Sequence, residues 1–205
     1  MRTETVKKVL VYGVPVMLAL QVLLFLVSWL ISAASPEPVV RSLLSSEGIR
    51  WFFASFIDNV ATDPLIWIIL GAMAYGAVVN SHILLSLRSK ASHRTYRQAF
   101  ALRIVLVEWI LFAAVIVLLS FVPHAALLSV TGQLFPSSFS HSLIPTFAFC
   151  VIVSATTYGL LAGVMRSVED AFASLCKGIA TAAPAIIFYV VAAELYFTTA
   201  YVFRF

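Results

Sequence analysis

The chain has 205 residues, 62% of them hydrophobic and 11% charged, with a mean hydropathy of +1.03. A soluble domain carries roughly 25% charged residues, so the composition excludes a water-solvated globule and predicts an all-α integral membrane protein. The formal net charge of +4 does not indicate a nucleic-acid partner, because the basic residues sit in short segments beside apolar runs, where they orient spans.

The chain reads as a single membrane domain, 1–205, with five spans at about 9–33, 65–87, 104–121, 143–165 and 179–203. Each is near the ~20 residues that cross a ~30 Å hydrocarbon core. The first apolar run is too long for the 7–15-residue core of a signal peptide, so an uncleaved first span is expected. Pro15 within it predicts a kink.

Residues 45–62 form the first of two amphipathic helices. Ile49, Phe52, Phe53, Phe56, Ile57 and Val60 recur at i, i+3, i+4, i+7, i+8 and i+11, while Glu47, Arg50, Asp58, Asn59 and Thr62 fall mostly elsewhere on the wheel. Asp63-Pro64 ends it, since the residue before proline is pushed out of the α region. This helix is expected to lie on the membrane surface, with Trp51 as an interfacial anchor, before the chain turns into the second span.

A basic segment follows, with Arg88, Lys90, Arg94, Arg97 and Arg103. Together with Arg2, Lys7 and Lys8 before the first span and Arg166 and Lys177 before the fifth, it marks the cytoplasmic side. The N-terminus is therefore expected in the cytoplasm and the C-terminus outside. The connection 122–142, with Pro123 and Pro136, reads either as a re-entrant segment or as an apolar loop packed on the bundle. Residues 166–178 read as the second interfacial helix, with Ser167 and Asp170 as a capping box and Val168, Ala171, Phe172, Leu175 and Ile179 as its apolar face.

The two amphipathic stretches echo each other. Phe53-Ala54-Ser55-Phe56, Val60-Ala61-Thr62 and Pro64 correspond to Phe172-Ala173-Ser174-Leu175, Ile179-Ala180-Thr181 and Pro184 with one residue of gap. Three spans separate the copies, which places them on opposite faces. The pattern reads as an inverted repeat of the kind found in secondary transporters, or as chance in a restricted alphabet.

These same stretches resemble the p-aminobenzoyl-glutamate transporter (AbgT-like) family. The resemblance rests on Leu44 to Trp51, Asn59, Pro64-Leu65, and Gly71 and Gly76, and near the C-terminus on Ser167…Asp170 and Val190-Val191-Ala192-Ala193-Glu194-Leu195. It implies a transporter of the bacterial inner membrane that moves a small organic anion as a homo-oligomer, a dimer being the first expectation. Family members are more than twice as long and carry polar motifs in two re-entrant hairpins; neither motif occurs here, and Asn80 stands where the family has an acid. The resemblance is thus to a short member without the central hairpin motifs. A non-transporting scaffold or accessory subunit of a larger membrane complex is the alternative.

The candidate polar contacts, to solute or subunit, are Glu194, Glu108, Asn59, Asp63, Thr156 and Thr157. Glu194 and Glu108 earn that place because an ionisable group inside a span is expensive and functional by default. Glu108 has a structural alternative, reaching the interface to meet Arg94 or Arg97, and Glu194 has a purely hydrogen-bonding one. Gly159 and Gly163 with Ala155, and Gly76 with Ala72, are small residues at intervals of four that let helices approach closely; Gly71 is grouped with them for helix packing. No enzyme, cofactor or metal site is read: His82, His93, His124 and His141 are scattered, Cys150 and Cys176 are far apart, and only a His124/His141–Glu194 grouping offers a catalytic alternative. The expected partners are the lipid bilayer and either a second copy or a larger membrane complex.

Overall fold

A computed structural model describes residues 2–34, 40–89, 94–121 and 138–204. Among them the chain is all helical: α1 (Arg2–Ala34), α2 (Ser46–Val60), α3 (Asp63–Ser81), α4 (Ile83–Arg88), α5 (Tyr96–Phe121), α6 (Ser138–Leu161) and α7 (Val168–Phe203). Five of these are long and apolar enough to cross a membrane: Lys8–Ala34, Asp63–Ser81, Tyr96–Leu118, Ser142–Leu161 and Val168–Phe203. Their large side chains are widely exposed, as with Val9, Leu26, Leu106, Leu111 and Ile187. That is the surface expected where lipid, not water, is the solvent.

Three boundaries differ from the sequence reading, each for a local reason. The second span stops at Ser81 because His82 takes a left-handed conformation (φ 58°), and the expected remainder forms the separate α4. The third begins at Tyr96, so Arg97 and Arg103 lie inside α5. The segment 168–178 is helical but does not stop at its end. It runs unbroken into the last span as the 36-residue α7, with Pro184 inside. The echoing stretches therefore share sequence but not backbone geometry: the first breaks between Val60 and Asp63, the second does not. Most of the connection 122–142, including Pro123, His124 and Pro136, lies outside the described residues, as do His93 and the side chain of His141.

The caps are legible. Ser45 Oγ accepts from the Gly48 N–H at 3.0 Å and starts α2. Ser167 Oγ accepts from the Asp170 N–H at 3.2 Å, and the Asp170 carboxylate accepts from the Arg166 N–H at 2.8 Å, a near relative of the expected capping box. Gly163, at φ +77°, ends α6 in a conformation that disfavours any Cβ.

The contacts divide the chain into two compact units, Met1–Ile66 with Ala183–Phe205, and Trp67–Ala182. The first is held by Val40, Leu43 and Val202, with Phe25, Trp51 and Tyr201 packed around them. The second is held by Ile83, Ala101, Val105 and Tyr158. Within the second, α3 and the start of α7 cross at van der Waals limits. A Cβ on Gly76 would stand 2.3 Å from the Ser174 carbonyl oxygen, and one on Gly178 would stand 2.1 Å from that of Ala72. Ala72/Gly76 and Ser174/Gly178 are thus small residues one turn apart on both helices, the pattern that allows backbones to touch. Gly71 differs, having nothing within 4 Å of such a Cβ.

Candidate functional site

α2 is turned against the expectation for a helix bordering water. Its polar Asn59 is 6% exposed, while the apolar Phe53 and Ile57 are 75% and 72% exposed. The apolar stripe faces outward, and the amide faces into the first unit. In lipid this is the cheaper arrangement, since a polar group left in hydrocarbon without a partner costs several kcal/mol, roughly 2–7 by transfer measurements.

What Asn59 meets there is Glu194. Asn59 Nδ2 donates to Glu194 Oε2 at 3.4 Å, and Glu194 is 7% exposed. One turn along α7, Thr198 is fully buried, and its hydroxyl also faces the Glu194 carboxyl. Thr198 Oγ1 accepts from Gln21 Nε2 of α1 at 3.0 Å. Five residues before Glu194 on α7, the Tyr189 hydroxyl is hydrogen-bonded to Thr62 at the α2–α3 break. Three helices thus bring an acid, two amides and a hydroxyl together in an otherwise apolar unit.

Two acceptor atoms in this cluster are left over. Glu194 Oε1 and Gln21 Oε1 are buried with no hydrogen-bond partner among the described residues. Both residues line a cavity of about 200 Å³ whose other walls are Leu18, Phe52, Phe56, Val190 and Val191. Two orphan acceptors beside one cavity call for a donor: a proton on the carboxyl, a cation, or the donating group of a solute.

The other candidates fall elsewhere. Asp63 opens the first turn of α3 and has a partner of its own. Glu108 is half-buried on α5 in the second unit, with Oε2 unpartnered among the described residues. Arg94, one of its expected partners, instead donates to the carbonyl oxygens of Ser86, Leu87 and Ser89 and closes α4. Arg97 lies against Gly163. Thr156 donates back to Ile152 and Val153 of its own helix, and Thr157 is half-buried beside it. Gly159 packs against the Met165 thioether. Cys150 is buried and Cys176 exposed, both as free thiols.

Gln21 and Thr198 were missed by the sequence reading, although each left a signal. Gln21 is the one amide in the first apolar run, and Thr198 stands at i+4 from Glu194 on the same helix face.

The family model described as the AbgT putative transporter family matches residues 86–201, just over half of the chain. The matched residues include Ser167…Asp170, Val190 to Leu195 and Glu194 itself; Asn59, Pro64-Leu65, Gly71 and Gly76 precede them. Neither the curated proteins nor the solved structures contain a match.

Proposed function

The chain belongs to the AbgT putative transporter family, and on that premise we propose that it moves a small organic anion across the bacterial inner membrane as a homo-oligomer, with Glu194 as its intramembrane working group. The observation that carries the reading is the buried Glu194 carboxyl, held on one oxygen by Asn59 and open on the other beside a cavity. A group that is satisfied on one side and vacant on the other can take up and release a proton or cation without unfolding its surroundings. That is what a coupled transport cycle requires of an intramembrane acid. Uptake of p-aminobenzoyl-glutamate into proteoliposomes holding the purified chain, against protein-free vesicles, is the direct test. Accumulation is expected with the protein alone, and equal uptake in both would refute the reading. The missing hairpin motifs favour a second reading, a non-transporting accessory subunit. A heteromeric partner at fixed stoichiometry in native mass measurements would support it.

The orientation belongs to the same proposal and draws on the distribution of Arg and Lys. It has a native probe, because Cys176 is exposed and Cys150 is buried. A membrane-impermeant maleimide is expected to label Cys176 in inside-out vesicles and not in right-side-out ones. The opposite sidedness would invert the topology.

A further inference from the structure

At the far end of α7, inside the first unit, two arginines and an aromatic plate line one cleft. Trp51 of α2 stacks on Tyr201 with ring centroids 4.0 Å apart and planes 12° from parallel. The Arg41 guanidinium sits 5.2 Å from the Tyr201 ring centroid. Arg204, at φ 60°, lines the same open cleft of about 380 Å³ together with Phe197 and Ala200.

The arrangement is built, not incidental. The Arg41 N–H donates to the Val202 carbonyl oxygen at 3.1 Å, and the Leu43 N–H donates to Ser28 Oγ at 3.2 Å. Leu43 and Val202 are fully buried beneath the cleft. The segment carrying Arg41 is therefore clamped to both α1 and α7. Among the described residues neither arginine has a carboxylate in ion-pair range, although Glu47 lies within electrostatic reach of the Tyr201 hydroxyl. Arg41 lies within the same reach.

We propose that this cleft binds the phosphate of an anionic phospholipid, with Arg41 and Arg204 on the phosphate and the Trp51–Tyr201 plate against the glycerol region. Three features select a lipid over a soluble anion. Guanidinium forks match phosphate oxygens two at a time. Stacked Trp and Tyr are at home at the headgroup level, where one edge is wet and the other apolar. The cleft also opens beside α2, whose outward Phe53, Phe56 and Ile57 give acyl chains a surface to follow. A helix-capping role for Arg204 explains its own placement but not the second arginine or the plate.

The test is native mass spectrometry of the full chain in mild detergent, offered phosphatidylglycerol and phosphatidylcholine in equal amounts. The wild type is expected to retain phosphatidylglycerol about tenfold more, a preference that Arg41→Gln/Arg204→Gln removes and Arg166→Gln/Lys177→Gln leaves intact. Arg204→Gln alone, at an exposed position, is expected to lose part of it with the fold unchanged by circular dichroism. Retention unchanged in the Arg41/Arg204 variants would overturn the proposal. So would displacement of the lipid by an equimolar amount of inorganic phosphate, which would make the cleft a site for soluble anions. The outcome is independent of whether the protein transports.

Discussion

Gly178→Leu is expected to destabilise the detergent-solubilised protein by about 3 kcal/mol or more, enough to lose the monodisperse peak on size exclusion. The reason is that a Cβ at this position meets backbone, which cannot rotate away. The Ala72 carbonyl oxygen would be 2.1 Å from it, and the Cα of Gly76 would be 2.9 Å away. The two helices must then separate, and the contacts around the crossing go with them. Without a hydrophobic drive between helices in lipid, close packing is most of what holds such a pair together. Gly71→Leu on α3, the other helix of the crossing, is the matched control. Nothing lies within 4 Å of its added Cβ, so the melting temperature should not move measurably. Equal behaviour of the two variants would show that the crossing is not as close as described.

The second large effect is at Asn59. Asn59→Leu removes the donor to Glu194 Oε2 and leaves a buried carboxyl whose other oxygen is already unpartnered. Orphaning such a group costs about 1–3 kcal/mol if it is neutral and about 3–5 if it is charged. The double variant Asn59→Leu/Glu194→Leu should recover most of that loss, because replacing both partners by apolar groups is close to neutral. Thermal unfolding of the two single variants and the double variant completes the cycle. Additive losses would mean that the two side chains do not interact.

What the sequence could and could not convey follows from what lipid does to patterning. Span number was legible because an apolar run near 20 residues has few other readings. The end of α2 was legible because Asp63-Pro64 acts locally. The stop at Ser81 was not, since nothing in Asn80-Ser81-His82 demands a left-handed residue; the neighbours of α4 in the second unit, Ala101, Val105 and Tyr158 around Ile83, accompany that break. Nor was the continuity of α7 legible. A proline after a polar-faced segment reads as a boundary, yet membrane helices tolerate an interior proline, and α7 runs through Pro184 unbroken.

The site shows the same division. Glu194 stood out as a lone acid in a span, and Asn59 was placed on the polar side of α2 without anything to pair it with Glu194. The wheel separates apolar from polar faces; it does not say which of them meets protein. For α2 the polar face does, which is why Asn59 reaches Glu194 while Phe53 and Ile57 turn outward. Gln21 was overlooked because one amide in a long apolar run hardly changes its hydropathy. Its importance appears only when α1 and α7 are set side by side, with Gln21 on Thr198.

The measurement closest to the heart of this account is uptake by Glu194→Gln in proteoliposomes, at reconstituted amounts equal to wild type. Glutamine keeps the size and one acceptor for Asn59 but cannot exchange a proton or hold a cation by charge. Uptake is expected to fall at least about tenfold, the scale of losing one charged hydrogen-bonding group, while the melting temperature stays near that of wild type. Uptake at the wild-type rate would contradict the assignment of Glu194 as the intramembrane working group of this chain.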